Sequence, residues 1–213
     1  MRPIVIVCSA AAIALTGCGR GDPQVSSSTP SSSTSSGEST SAASNTAPTE
    51  LGTITASGFG QADEYVWATA VVHNNSEYIG QTVTVNFNVL DAAGEILGSE
   101  SHVDSFSQPG SDHIVGTQVT LEPGQKAAKV EASLDVEASG TFSDEPFPVM
   151  PISNLTIKGD GSYRHVSFLL SNPLSVAVKD PQVDVACVDA EGELIGGGTA
   201  YPELVPAGGE VKV

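Results

Sequence analysis

Three sets of side chains in this sequence could do chemistry: the thiols of Cys8, Cys18 and Cys187; the imidazoles and carboxylates of His102, Asp104, Asp112 and His113; and the carboxylates of Asp91 and Asp189. A nucleophile needs a base within hydrogen-bond reach and a third group to orient that base. No G-x-S-x-G turn, no H-E-x-x-H helix and no glycine-rich turn leading into a helix occurs, and most serines crowd into one low-complexity stretch. The sequence therefore predicts no catalytic residue and no cofactor. Two histidines with two aspartates have suitable atoms for a metal ion, but they are spread over 12 positions without ligand spacing, so no metal ligand is assigned. Asp91 and Asp189 each head a D-x-x-G segment, where a carboxylate caps its own turn. Cys187 falls among alternating apolar residues and reads as a small buried hydrophobe.

Cys18 has a different setting. Arg2 supplies a positive charge, and Ile4 to Leu15 is an uncharged apolar run, the form of a secretory leader. The run is shorter than the roughly 20 residues a membrane-spanning helix needs. Leu15-Thr16-Gly17-Cys18 resembles the bacterial lipobox. That resemblance implies a leader of residues 1–17, cleavage between Gly17 and Cys18, a diacylglyceryl thioether on Cys18, and a place on the extracytoplasmic face of the cell membrane. Two acyl chains anchor stably where one is marginal. Residues 18–50 are dominated by Ser, Thr, Ala and Pro, as in Ser26-Ser27-Ser28-Thr29-Pro30, and hold almost no large apolar side chain. Such a stretch is predicted to be a disordered tether with an end-to-end distance of roughly 30 Å.

The elements that must position any site begin after Leu51, where Val, Ala, Ile and Leu are concentrated. The chain has 213 residues and a net charge of −17 with only eight Lys plus Arg, so its surface repels phosphate backbones and nucleic acid is excluded as a partner. With Cys8 cleaved off and Cys18 modified, Cys187 alone is a free thiol and no disulfide framework exists.

An internal repeat sets Asp91-Ala92-Ala93-Gly94-Glu95-Ile96-Leu97-Gly98 against Asp189-Ala190-Glu191-Gly192-Glu193-Leu194-Ile195-Gly196, 98 positions apart. The same spacing pairs Asn74 with Asn172, Val85 with Val183, and Trp67 with His165. Each unit alternates at the strand period. Ala68, Ala70 and Val72 share one face, as do Val83, Val85, Phe87 and Val89, with Thr84, Asn86 and Asn88 on a wet face between them. Val166, Phe168 and Leu170, then Val183, Val185 and Cys187, repeat this. Short strands with turn signals at such spacing predict an all-β chain of two tandem β-sandwiches. Phe87-Asn88-Val89-Leu90-Asp91 resembles the F-x-L-Y-D signature of the FxLYD domain, an immunoglobulin-like module of prokaryotic envelope proteins. Asn74, the turn Asp91 to Gly94 and the turn Leu121 to Gly124 match that family's pattern. Val89 and Leu90 depart from the signature, and Val185 to Asp189 match it more loosely. The resemblance implies the fold and no shared catalytic residues.

The expected division is a leader at 1–17, a lipidated tether at 18–50, an FxLYD-like sandwich at 51–137, a proline-containing connector at 138–152 and a second FxLYD-like sandwich at 153–213 whose last strand is short. The copies differ most between Gly98 and Leu121, where 22 residues stand against seven between Gly196 and Leu204. Loops on rigid sandwiches commonly carry binding. Ser101 to Ser111 is expected to be a replaceable loop, with His102, Asp104, Phe106, Asp112 and His113 as candidate binding residues; alternatively His113 to Val119 extends the sheet. The functional expectation is a monomeric, membrane-anchored, non-catalytic module that binds an envelope protein or glycan. The alternatives are a structural spacer without a ligand and a metal-binding envelope protein.

Overall fold

Period-two alternation from Gly52 onward produces strands and nothing else. The computed structural model describes residues 6–8, 50–137, 143–144, 146–159 and 164–213. Gly17 and Cys18, most of the leader, the tether up to residue 49 and the start of the connector lie outside the described residues.

The strands in chain order are β1 (Ile6–Cys8), β2 (Gly52–Ala62), β3 (Tyr65–Asn74), β4 (Thr82–Leu90), β5 (Ile96–Ser105), β6 (Asp112–Thr120) and β7 (Lys129–Glu137). They continue as β8 (Ile152–Lys158), β9 (His165–Ser171), β10 (Val178–Lys179), β11 (Val183–Val188), β12 (Leu194–Ala200), β13 (Leu204–Val205) and β14 (Glu210–Lys212). The described chain is all-β. Antiparallel sheets β2-β3-β6 and β5-β4-β7 close over the first core, where Ala68, Ala70, Val72, Val83, Val85, Phe87 and Val89 are fully buried, as the alternation predicts. Each such Val or Phe contributes roughly 1.5–3 kcal/mol by leaving water. Sheets β14-β9-β8 and β1-β11-β12, with the short ladder β10-β13, enclose a second core of Phe168, Leu170, Val178, Val183, Val185 and Val205.

The repeated asparagines tie each strand end to the turn that follows. Asn74 is buried; its Nδ2 donates to the carbonyls of Tyr78 (2.8 Å) and Gln108 (3.0 Å), and its Oδ1 accepts from the Ser76 amide (3.0 Å). Asn172 does the same for its copy, donating to Val176 O (2.8 Å) and Pro206 O (3.0 Å) and accepting from the Leu174 amide (3.0 Å). The D-x-x-G turns behave as read. Asp91 Oδ1 accepts from the amides of Ala93 and Glu95, Asp189 Oδ1 from those of Glu191 and Glu193, and Gly94 and Gly192 take φ of +84° and +94°.

Two expectations need correction. Ser101 to Ser111 is not a loop throughout: β5 runs through Ser105, the turn is confined to 106–111, and Phe106 within it lies 1 % exposed in the first core. The stretch reads as polar because β5 is an edge strand, and His102, Asp104 and the serines around them suit an edge that must not pair further. The sheet-extending alternative describes Asp112–Thr120, which pairs with β3 along its whole length as β6. The second correction concerns the end of the repeat. A short last strand in the second sandwich would be the counterpart of β7, the last strand of the first, which pairs with β4. Instead β14 pairs with β9, the position β6 holds beside β3. Glu210 pairs with Ser171 as Asp112 pairs with His73, 98 positions earlier in β3, so β14 is the second copy's counterpart of β6, reached by a shorter connection. The place of β7, beside β11, is filled by Ile6–Cys8, with Ile6 opposite Ala186 and Cys8 opposite Asp184.

Removing either asparagine leaves several buried backbone groups without a partner. Asn74→Ala and Asn172→Ala are each expected to cost about 2 kcal/mol in urea unfolding, and Phe106→Ala about 3–5 kcal/mol. A chain in which a Gly-Ser turn replaces residues 101–111 is expected to lose cooperative unfolding of the first sandwich, and a native transition would contradict the placement of β5.

Candidate functional site

The face of β3 that points away from the first core is not solvated. Thr69 and Val71 on it are 0 % and 7 % exposed, and Trp67 is half-buried. The second sandwich covers them. Ile114, the cross-strand neighbour of Val71, packs with Ala186 and Leu194 in a small apolar cluster shared by the two copies. A near-continuous apolar run, Val66 to Val72, is the signature of a strand buried on both faces, and reading only its inward half missed the seam.

Backbone meets backbone across this seam. A Cβ at Gly58 would lie 2.2 Å from Leu194 O, and one at Gly60 2.5 Å from Ile195 O, so β2 and β12 touch only because both positions lack side chains. The indole of Trp67 is wedged in the same manner: its Nε1 would be 2.8 Å from a Cβ at Gly116 and 2.9 Å from one at Gly197. Glycine inside a strand marks such close approaches, and the run Gly196-Gly197-Gly198 is therefore a sequence signal for the site.

Next to the wedge the seam opens into a cavity of about 540 Å³. Its floor is the outer face of the first sandwich, where Gly60, Trp67 and Gln118 form one cross-strand row beside Ala62 and Tyr65. Its walls come from the second sandwich: Arg164 and His165 ahead of and at the start of β9, then Phe168, Val185, Cys187 and the glycines of β12. Cys187 is half-buried, packs against the second core and also lines this cavity. Burial pushes its thiol pKa up, with the charge of Arg164 acting in the opposite sense, so the thiol is protonated at neutral pH and a poor nucleophile.

At the other end of the seam lies a buried polar cluster. His113 Nε2 meets Asp104 Oδ2 at 3.0 Å, Gln182 Nε2 donates to Asp184 Oδ2 at 2.9 Å and reaches Asp104 at 3.5 Å, and Thr199 Oγ1 donates to Asp184 Oδ1 at 2.5 Å. Residues of β5, β6, β11 and β12 thus share one network across the two copies. Burial acts to raise the pKa of Asp104, but the hydrogen bond and charge of His113, the Ser105 amide and the charge of His102 outweigh it, and the net shift is downward. Asp184 goes the other way: burial raises its pKa, the charge of Asp104 adds to this, and the hydrogen bonds from Thr199 and Gln182 only partly offset it. Two acidic groups so close do not ionise equally easily.

The five residues expected to form a binding loop are therefore distributed differently. Asp104 and His113 are paired in the seam, with Phe106 edge-on to the His113 ring at 6.2 Å. His102 lies half-buried on β5. Asp112 is apart, paired at the surface with His73 Nδ1 at 2.8 Å. Among the described residues no group of three or more His, Cys, Asp or Glu is arranged to hold a metal ion, and no helix is long and apolar enough to cross a membrane. No protein-family model matches the chain. No curated protein matches it either.

The seam predicts a pH signature. Asp184, with its raised pKa, holds its proton more tightly when folded, so its contribution to stability falls as pH rises above the ordinary value of 3.8. Asp104, with its lowered pKa, contributes stability that is lost as pH falls below 3.8. Asp184→Asn is expected to raise the melting temperature at neutral pH and to approach wild type near pH 3.8. Asp104→Asn is expected to cost about 2 kcal/mol at neutral pH through the lost charged hydrogen bond. Equal melting of Asp184→Asn and wild type at neutral pH would contradict the buried network.

Proposed function

We propose that this chain is a lipid-anchored, extracytoplasmic protein of the bacterial cell envelope that binds a ligand without catalysis, through the seam between two FxLYD-like, immunoglobulin-like sandwiches. The observation that carries the binding reading is the seam cavity, floored by the single tryptophan of the chain. A cavity of that size falls within the roughly 300–1,000 Å³ typical of ligand sites. The protonated Cys187 thiol and the lack of a nucleophile–base motif in the sequence favour binding over catalysis. A pure spacer has no need of a cavity between its modules.

The anchor reading rests on the leader and on Leu15-Thr16-Gly17-Cys18. In it, the lipid on Cys18 holds the protein to the membrane, and the stretch through residue 50 lifts the sandwiches off the headgroups. Cleavage ahead of Cys18 removes Ile6–Cys8, so in the mature chain that edge of β11 passes to solvent or to another strand. The immunoglobulin-like reading is supported by the paired three-stranded sheets, the buried asparagines and the D-x-x-G turns.

Cys18→Ala is expected to abolish partitioning into detergent and incorporation of labelled palmitate in cells. Retention in the detergent phase equal to wild type would overturn the anchor. Capture of a saturable ligand from envelope extracts by the wild-type chain supports binding, and its absence over a wide concentration range favours the spacer.

A further inference from the structure

The polar network at the far end of the seam is shared unequally. Asp104 finds its partners in its own copy: His113 Nε2 at 3.0 Å, the Ser105 amide at 2.7 Å and the charge of His102 on the same strand. Burial works against its ionisation and these groups outweigh it, so Asp104 is a carboxylate before the second sandwich docks. Asp184 lies on the face of β11 that docks, the face of Ala186, which packs on Ile114 of β6. Its hydrogen bonds, from Thr199 and Gln182, also come from its own copy. Docking thus brings Asp184 no strong new partner. It brings burial, to 3 % exposure, and a second carboxylate, with the single Gln182 amide reaching the two acids at 2.9 and 3.5 Å.

Burial raises the pKa of Asp184, the hydrogen bonds from Thr199 and Gln182 oppose the rise, and the charge of Asp104 adds to it. Three further groups act at the pair. His102 on β5 favours the Asp104 charge, His113 on β6 favours both charges, and the Tyr201 hydroxyl just past β12, held from ionising by burial and by both acids, stays neutral. The rest of the seam is modest: Ile114, Ala186 and Leu194 make its apolar cluster, and the Thr69 hydroxyl is buried there with no hydrogen-bond partner among the described residues. Against so few contacts, two carboxylates facing each other away from water are a large opposition to docking.

We propose that this pair is a proton-operated latch: one proton taken up by Asp184 tightens the docking of the two sandwiches, and its release loosens them. The latch needs neither the lipid on Cys18 nor a ligand in the seam. With the second sandwich undocked, Asp184 is a surface acid with the ordinary pKa of 3.8. Docking raises that value, so the docked chain holds the proton more tightly, and by reciprocity the proton strengthens docking. The gain sets in as pH falls through the raised value and is complete below 3.8. Each unit between the two values is worth about ten-fold in the docking constant. Docking pushes Asp104 in the same direction, but its imidazole and amide partners hold it below 3.8, outside this window.

Titration of the Asp184 carboxyl by carbon NMR, on the unlipidated full chain (Cys18→Ala), tests the coupling. Its pKa is expected above 3.8 in the docked chain and at the ordinary 3.8 in undocked Gly60→Val, whose side chain intrudes on Ile195. Equal values in the two chains overturn the latch, since the rise then belongs to the second sandwich alone. Should Gly60→Val not fold, Asp104→Asn serves instead: it removes the facing charge and is expected to lower the Asp184 value, and an unchanged value overturns the proposal. Motion is read in Gly60→Ala, where a Cβ alone, 2.5 Å from Ile195 O, weakens the contact. The correlation time of its β8–β14 amides is expected to lengthen on acidification from about pH 7 to 5, and to be long at both when Asp184→Asn is added. A correlation time that shortens on acidification, or a pH dependence that survives Asp184→Asn, overturns the latch; where Gly60→Ala stays docked throughout, the carboxyl titration alone decides.

Discussion

Everything distinctive about this molecule depends on the approach of β12 to the outer face of the first sandwich at backbone distance. Gly58 and Gly60 on one side, and Gly197 on the other, leave no room for a side chain. An ordinary pair of sandwiches joined by a connector would keep both outer faces wet. Here the contact buries Thr69, Val71 and Ile114, clamps the Trp67 indole and brings Asp104 and Asp184 into one hydrogen-bonded network. Burying charge in this manner is a poor source of stability. The apolar contact holds the seam, and the polar network fixes its registry.

The repeat explains how a duplicated unit came to dock on itself. Both copies keep the buried asparagine, the capped D-x-x-G turn and the apolar pairs of their central strands. They diverge in β5 against β12 and in the length of the connection that follows these strands. The first copy closes its core with Phe106, Val115 and Val119. The second closes its own with Phe168, Leu170 and Val205, and places Gly196 to Gly198 where β12 docks on the first. The close docking of the two copies is a consequence of that glycine run. The connector contributes as well: Met150 enters the second core, while Phe147 exchanges backbone and side-chain hydrogen bonds with Ser107 and Gln108 of the first.

The strands, their inward faces and their turns were legible because alternation and D-x-x-G chemistry are local. Ala68 to Val72 and Val83 to Val89 lie where the period placed them. The seam was not legible in the same way, since period-two reasoning assigns one face of β3 to solvent and cannot see a second module landing on it. Trp67, Thr69 and Val71 among the inward Val66, Ala68 and Ala70 carried that information as an apolar run. The loop reading failed over Ser101 to Ser105 because polar residues on an edge strand look like a turn. His113 and Asp104 stood among five residues grouped in one binding loop, and neither their pairing nor their partner across the seam, Asp184, was read. Its place in strand β11, between Val183 and Val185, reads as a solvated position in an isolated sandwich.

Backbone amide NMR relaxation on the unlipidated chain tests the seam most directly. If the glycine contact holds the two sandwiches together, amides in β2–β7 and in β8–β14 report a single rotational correlation time, and Gly60→Val, which forces β12 away, splits it into two shorter ones. Two independent, shorter correlation times in the wild-type chain would contradict the seam, and with it the cavity that depends on it.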